Sequence, residues 1–267
     1  MKLTEIWIYP VKSLGGIRLQ TARVMPKGLE NDRRYMLVDE NNRFITQRVF
    51  PQLALFKISF GEGVFKITYK SDTIDIPIHP QWENKLAEVK VTIWNDVVEG
   101  VELGKEFNRW FSERAGVKCK LIFFPEENER MVDKDFATHG EQVGFADGFP
   151  FLIIGQSSLD ELNSKLEVPL PMNRFRPNFV FDKGKPFEED GWKNFKIGSN
   201  EFTGVKLCAR CAIPTINQDT GGKGIEPSAT LATFRKVGNK INFGQNLVAR
   251  NYLEVAEGDD VEVESFQ

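Results

Sequence analysis

The sequence is poor in the side chains that most often hold metals: among 267 residues there are three cysteines and two histidines. A small, odd number of cysteines in a chain of this length excludes the disulfide framework of small secreted domains. The sequence also argues against a zinc ribbon, because Cys119, His79 and His139 have no ligand-like spacing to the pair Cys208 and Cys211. We therefore expect reduced thiols and no structural zinc.

The sequence also lacks a strong excess of charge and any long apolar run. A formal net charge of −3 predicts no bulk attraction to nucleic acid or to an anionic membrane. No stretch approaches the roughly 18 uncharged apolar residues of a membrane helix. The N-terminal apolar run is short and interrupted by Pro10, unlike a signal peptide. We expect a cytoplasmic protein with no membrane span and no nucleic-acid binding.

What the sequence does have is strand-like alternation of apolar and polar residues. It runs through most of the first hundred residues, between turn signals such as "ENN", "GEG" and "KSD", and resumes after residue 118. Short strands at this spacing predict an antiparallel barrel or sandwich. We predict a mainly β chain with a few helices, of the α+β class, in two packed domains at 1–118 and 119–267.

Three segments interrupt the alternation with helical spacing. "GKEFNRWFSERAG" carries apolar residues on one helical face and ends at Gly116, which predicts a glycine C-cap. "SSLDELNSKLE" predicts a second helix with Ser157 as its N-cap. "SATLATFRKVG" predicts a third, short helix.

Cys208 and Cys211 form a C-x-x-C motif that is compatible with several chemistries. A redox-active pair would normally open a helix, whose N-terminus lowers the thiol pKa. The following "AIPTIN" reads instead as β-type, with Pro214. A buried structural pair and a single thiolate ligand to a soft metal both remain open.

Three basic clusters stand out. Lys12 and Ser13 end a strand before two glycines, where an ammonium, a hydroxyl and backbone N–H groups can meet a phosphate. Arg33 and Arg34 are adjacent at a strand start, so their side chains should point to opposite faces. In "NRFRPNFVF", the strand-like alternation puts three polar side chains on one face: Arg174, Arg176 and Asn178. Two arginines on one strand face favour an anion between them.

Six segments, in order along the chain, carry a resemblance to a known family: "IYPVKS", "DRRYMLV", "FADGFPFLI", "FRPNFV", "CARCAIPTINQDTG" and "FGQNLVARN". The chain resembles the MOSC proteins that carry a MOSC N-terminal β-barrel domain. It is especially similar to the mitochondrial amidoxime-reducing component and its bacterial counterparts. The resemblance implies an N-terminal β-barrel-like domain packed on a MOSC β-barrel domain.

The resemblance also implies a molybdenum cofactor, a molybdenum–pterin dithiolene, rather than pyridoxal phosphate. Cys211 matches the cysteine that ligates the metal in the family, and Cys208 is then a neighbour. Asp219 becomes a candidate proton carrier. The cofactor-holding role is carried to a further set of residues, with Arg34 chosen over Arg33: Lys12, Ser13, Arg34, Gly148, Phe149, Arg176, Asn178, Arg210 and Asn246. Phe149 departs from the small polar residue of the human relatives. We expect these residues to meet at an interdomain cleft.

The family activity implied is two-electron reduction of small N-hydroxylated compounds, namely amidoximes, hydroxylamines and N-hydroxy bases. The chain ends soon after the MOSC part, has no dinucleotide-binding G-x-G-x-x-G turn and has too few cysteines for an iron–sulfur cluster. We therefore expect a separate electron-transfer protein, a flavoprotein, ferredoxin or cytochrome. Two alternatives stay open: a molybdenum-cofactor or sulfur carrier, and a β-rich anion-binding module without metal.

Overall fold

The computed structural model describes residues 1–80, 87–137 and 139–267. Strands dominate these residues, as the alternation of apolar and polar side chains predicts. The first eleven strands are β1 (Lys2–Ile8), β2 (Ile17–Leu19), β3 (Thr21–Met25), β4 (Gly28–Leu29), β5 (Tyr35–Val38), β6 (Phe56–Phe60), β7 (Val64–Tyr69), β8 (Asp72–Pro77), β9 (Ala87–Ile93), β10 (Asp96–Glu102) and β11 (Lys120–Phe123). The others are β12 (Phe151–Gly155), β13 (Phe179–Asp182), β14 (Trp192–Ile197), β15 (Asn200–Ala209), β16 (Lys236–Val237), β17 (Lys240–Ala249), β18 (Glu254–Ala256) and β19 (Val261–Phe266).

The strands form four sheets. The largest has nine strands in the order β19-β14-β15-β17-β12-β13-β1-β2, with β16 paired to β17. A four-stranded sheet has the order β5-β11-β10-β9, and the two three-stranded sheets are β18-β3-β4 and β6-β7-β8. Within the described ranges these pairings close no barrel. The mainly β class with a few helices is confirmed.

Strand pairing interleaves the two halves of the chain. The first strand, β1, pairs with β13 in the large sheet, so its register places Ile6 opposite Phe179. Conversely, β11 lies after residue 118 but pairs with β5 and β10. The N-terminal segment is thereby held against the second half, which brings side chains from both halves to one place.

The predicted helices are present. They are α1 (Lys105–Ala115), α2 (Gln156–Asn163) and α3 (Ser228–Phe234). Gly116 ends α1 in the left-handed conformation, with φ 68, as its glycine C-cap predicts. The predicted cap of α2 is wrong: the helix follows Gly155 without a side-chain cap, and the Ser157 hydroxyl donates to the Gly184 carbonyl instead, at 2.6 Å. No helix within the described residues has the length and apolar character needed to traverse a bilayer.

Two segments predicted as strands turn over part of their length. Short 3-10 helices occupy Pro51–Leu55, Met172–Arg174, Glu188–Gly191 and Ile213–Thr215. Arg174 therefore ends a helical turn, Arg176 has a left-handed φ of 56, and extended structure starts only at Phe179. The "AIPTIN" segment likewise contains a 3-10 turn. Proline limits ladder hydrogen bonding in both segments, which favours a turn over a central strand.

The core falls into two main clusters. One lies under the large sheet and is built around Phe151, Phe179 and Trp192. The other gathers β6 to β8 against α1, around Phe56 and Phe111. Their boundary lies near the turn after β1, where the polar residues of the candidate site emerge.

Glu189 is a fully buried carboxyl group beneath α2. Its Oε1 accepts hydrogen bonds from the Gly155 N–H at 3.1 Å and from the Ser158 hydroxyl at 3.0 Å. Burial raises the pKa of Glu189 from 4.5 to about 7, because the two donors only partly replace water around the charge. The folded state therefore favours the protonated carboxyl. The contribution of this group to the stability of the protein is complete below the pKa that Glu189 has in the unfolded chain, and it is lost as the pH rises through about 7.

We expect Glu189→Gln, a neutral isostere, to stabilise the protein at alkaline pH. The gain in unfolding free energy over wild type should grow by about 2 kcal/mol between about pH 5 and about pH 8. Urea denaturation at the two pH values measures it. Glu188→Gln is the control: it removes the charge of the preceding residue, whose side chain is partly exposed, and should give no comparable gain in unfolding free energy. A pH-independent difference for Glu189→Gln would contradict the buried-charge account.

Candidate functional site

A cavity of about 440 Å³ opens where the two halves of the chain meet. Its charge is strongly one-sided: of the described residues that line it, one is acidic, Asp147, and the basic ones are Lys12, Arg33, Arg48, Arg176, Lys206 and Arg210. Cations collected in a partly desolvated cleft attract and hold anions. The cavity is thus built for a negatively charged ligand.

Lys12 and Ser13 reach the cavity from the turn after β1. The Lys12 N–H donates to the Tyr35 carbonyl at 2.8 Å, and Ser13 turns the chain with a φ of 68. The Lys12 ammonium is buried and donates to the Phe145 carbonyl at 2.7 Å and to Asp147 Oδ1 at 2.5 Å. Burial lowers the pKa of Lys12 to about 8, against the opposing attraction of Asp147. Lys12 is therefore charged at neutral pH but holds its proton less tightly than an ordinary lysine.

Two guanidinium groups pack on the ring of Tyr9. Arg176 and Arg33 sit 4.1 Å and 4.4 Å from the centre of its ring. Arg33 also pairs with buried Asp32 at 2.5 Å, and Arg176 Nη1 donates to the Leu14 carbonyl at 2.6 Å. Burial lowers the pKa of Arg176 to about 10. Two stacked cations with one carboxylate between them leave net positive charge at the cavity wall.

Asn178 fixes this wall through both ends of its amide. Its Oδ1 accepts from Arg33 Nη1 and from the Leu152 N–H, each at 3.2 Å. Its Nδ2 donates to Asp32 Oδ2 and to the Trp7 carbonyl, each at 3.1 Å. Asn178 therefore sets the position of Arg33 as well as lining the cavity itself.

Cys208 and Cys211 line the cavity in different surroundings. The Cys208 sulfur accepts a hydrogen bond from Arg210 Nη1 at 3.1 Å, and burial raises the pKa of its thiol. Cys208 also packs against a satellite hydrophobic cluster. Cys211 lies beside the Arg48 guanidinium instead. Burial lowers the pKa of Arg48, but the neighbouring Asp147 and Cys211 side chains outweigh burial and raise that pKa above its ordinary value. The motif therefore presents two thiols with distinct partners rather than an equivalent pair.

Asp147 joins the basic groups to one another. Its carboxylate pairs with Lys12 at 2.5 Å and with Arg48 at 2.6 Å. Partial burial raises the pKa of Asp147, but the attraction of Lys12 and Arg48 outweighs it and holds the pKa far below the usual range. Arg130 donates to the Asp147 carbonyl at 3.1 Å and so fixes the backbone of this loop. The half-exposed carboxylate stays charged and orients both cations.

Other lining residues of the cavity come from β15, β17 and the loop before β12. The Lys206 ammonium lies 3.8 Å from the centre of the Phe136 ring and 5.7 Å from that of Phe149. Asn246 Nδ2 donates to the Lys206 carbonyl at 3.2 Å. Gly148 also lines the cavity and leaves open space where a side chain would project.

The structure brings together most of the residues singled out from the sequence, but not Arg34 and Asp219. Arg34 is not among the described residues that line the cavity, and it pairs with Glu126 at 2.8 Å. Its neighbour Arg33 lines the cavity instead, and the cofactor-holding role of Arg34 stays a prediction. Asp219 lies on the surface, with a side chain 80% exposed, and pairs with Lys57 at 2.9 Å. The roles of the other predicted residues stay predictions.

The lining residues that were not singled out from the sequence include Arg48, Trp94, Asp147 and Lys206. Asp147 stands inside the quoted "FADGFPFLI" segment, where a charged residue next to glycine was a usable signal. Arg48 and Trp94 come from turns that reach the cavity only through tertiary folding. Nothing in their local sequence separates them from ordinary surface residues.

Comparison with known protein families finds two matches along the chain. Residues 1–118 match the family described as the MOSC N-terminal beta barrel domain, and residues 140–262 match the MOSC domain. The predicted resemblance is thereby confirmed for both parts.

Relatives of two kinds align with the chain. Mitochondrial amidoxime-reducing component 1 of Mus musculus is 29% identical, over 97% of this chain and 81% of the relative. Mitochondrial amidoxime reducing component 2 of Homo sapiens is 30% identical, over 87% of this chain and 72% of the relative. A molybdenum cofactor sulfurase of Oryza sativa subsp. japonica is 29% identical over 97% of this chain, which spans 33% of that longer protein. The chain belongs to the family of MOSC proteins with a MOSC N-terminal beta barrel domain, the family of the mitochondrial amidoxime-reducing components.

Proposed function

We propose that the protein is a molybdenum-cofactor-dependent oxidoreductase that reduces N-hydroxylated compounds with electrons from a separate redox protein. The observation that carries the proposal is the joint placement of the Cys211 thiol and a surplus of cations in one cavity. A pterin cofactor with a phosphate needs both features, because the phosphate is anionic and the metal prefers a sulfur ligand.

The donor groups of the cavity fit such a cofactor. Arg48 and Arg210 each have a buried Nε atom without a protein partner among the described residues. A buried donor without an acceptor is costly, and a bound anion would remove that cost. Cys211 would supply the thiolate ligand, and the pterin and phosphate would be held by Lys12, Ser13, Arg33, Arg176 and Asn178.

When bound, the cofactor supplies the two-electron chemistry that breaks an N–O bond. The chain supplies positions and charge. Arg48 keeps a positive charge beside Cys211, and Asp147 fixes the direction of that guanidinium. Lys12 Nζ holds a proton whose pKa of about 8 lies near physiological pH, so it can donate a proton more readily than an unperturbed lysine.

The direct test is turnover by the purified holoprotein. Protein expressed with ample molybdenum should carry molybdenum and pterin in equimolar amounts and should convert benzamidoxime to benzamidine with a chemically reduced viologen dye as donor. NADH or NADPH alone should not support turnover. Protein that is folded yet takes up neither molybdenum nor pterin would refute the proposal and favour a metal-free anion-binding module.

A cofactor or sulfur carrier is the second candidate, and the alignment with a molybdenum cofactor sulfurase favours it. A carrier binds the same cofactor in the same cavity without reducing a substrate. Molybdenum-loaded protein that transfers its cofactor or sulfur to an acceptor enzyme, but reduces no N-hydroxylated compound, would support this role.

A further inference from the structure

Trp94 stands at a turn where a large side chain is costly. It is the first of the two residues that connect β9 to β10, since Ile93 pairs with Asp96 across the hairpin. Its φ of 54 lies in the left-handed region, where glycine is preferred at such turns. Half of its surface, 50%, is exposed to solvent. A strained, half-exposed tryptophan contributes little to the core, and such outliers concentrate at functional sites.

The indole is held firmly despite its exposure. The Arg48 guanidinium lies 4.7 Å from its centre, and the Phe44 ring lies 5.1 Å away at 59°. The hairpin beside it is tied to the Phe44 segment, because the Phe44 N–H donates to the Thr92 carbonyl at 3.2 Å. A ring fixed before a ligand arrives loses little freedom on binding.

The indole also stands next to the reactive end of the cavity. Trp94 lines the cavity, and the guanidinium that packs on it is the same Arg48 that lies beside Cys211 and pairs with Asp147. One side chain therefore separates the ring from the proposed metal ligand. The indole and Cys211 thus line the same cavity, with Arg48 next to both.

We propose that Trp94 is a stacking platform that favours flat, conjugated N-hydroxylated substrates over aliphatic ones. This inference rests on the proposed function and specifies which of its substrates the cavity prefers. A planar amidine or ring system meets an aromatic face over its whole area, whereas a small aliphatic amidoxime covers only part of it.

The test compares benzamidoxime with acetamidoxime in Trp94→Ala, Trp94→Gly and Trp94→Phe, with reduced viologen as donor. In the alanine and glycine variants the kcat/KM for benzamidoxime should fall about tenfold relative to that for acetamidoxime, through KM rather than kcat. Trp94→Phe should keep most of the preference.

Trp94→Gly also relieves the strained turn and should melt no lower than wild type, so loss of the ring is separated from misfolding. Val97→Ala, exposed on the same hairpin and outside the cavity, is the matched control.

Unchanged selectivity in both the alanine and glycine variants would overturn the proposal. Slower turnover with a protein donor but normal turnover and selectivity with viologen would also overturn it, because Trp94 would then contact the redox partner. Calorimetric binding of benzamidoxime separates this inference from the proposed function. If wild type reduces nothing, the proposed function fails, yet benzamidoxime binding that weakens about tenfold in Trp94→Gly would still support the platform.

Discussion

We expect Cys211→Ala to lose molybdenum and to reduce benzamidoxime at least about a hundredfold more slowly, whereas Cys208→Ala keeps most of both. The reason is that Cys211 would contribute a bond to the metal itself, and second-sphere partners of a ligand matter less than the ligand. In the structure Cys211 faces the charged end of the cavity beside Arg48, while Cys208 is engaged by Arg210 and packed on a hydrophobic cluster. Elemental analysis and viologen-supported turnover of each purified variant measure the effect.

Cys119→Ala is the control for the loss of a thiol elsewhere. Cys119 is buried in the core cluster around Phe56 and Phe111, and burial raises the pKa of its thiol to about 11. Its removal should lower thermal stability and leave the molybdenum content unchanged, because a small cavity in the core does not touch the site. Equal loss of activity in Cys208→Ala and Cys211→Ala, with molybdenum retained in both, would contradict the single-ligand account and indicate a functional dithiol.

Local sequence signals predicted the elements well where each element is governed by its own side chains. The alternation in "AEVKVTI" produced β9 because one face of that strand is buried and the other is wet. Gly116 predicted the end of α1 because only a residue at ease with positive φ closes a helix in that way. Such signals need no knowledge of distant residues.

The same signals failed where a short polar pattern has two explanations. Arg174, Arg176 and Asn178 alternate like residues of a strand, but they lie at the end of a 3-10 helix and in the turn after it. Their spacing matches a strand period only because every second residue is polar. Burial of both arginines was set by contacts far along the chain, such as the Pro214 carbonyl that accepts from Arg174 at 2.7 Å.

The site was harder to predict than the fold because its geometry depends on loops. The prediction that Arg33 and Arg34 begin a strand and so point to opposite faces is wrong, because Arg33 lies in a turn with a left-handed φ of 49 and β5 starts only at Tyr35. Glu126, on the loop after β11, captures Arg34, and Asp32 and Asn178 capture Arg33. Arg48 and Trp94 reach the cavity from turns in the same way. Tertiary partners, not local pattern, decide these positions.

Substitutions of the adjacent residues Arg33 and Arg34 should have very different effects on cofactor binding. Arg33→Gln should weaken the affinity for the cofactor by on the order of a hundredfold, since losing one charged partner of a buried anion costs roughly 2–5 kcal/mol. The purified variant should therefore contain less molybdenum and pterin than wild type. Arg34→Gln should retain the cofactor. The measurement is molybdenum and pterin per folded protein after dialysis, with near-saturating cofactor during expression.

Arg34→Gln is a close match as a control because both variants break one ion pair of a mostly buried guanidinium. Arg33 pairs with Asp32 at 2.5 Å and Arg34 with Glu126 at 2.8 Å, and the two side chains are 13% and 7% exposed. Both substitutions should therefore lower thermal stability, but only Arg33 faces the cavity. Arg33→Lys should recover part of the cofactor, because it restores the charge without the planar fork. Cofactor loss in Arg34→Gln with retention in Arg33→Gln would show that the anion binds outside this cavity, on the side of Glu126.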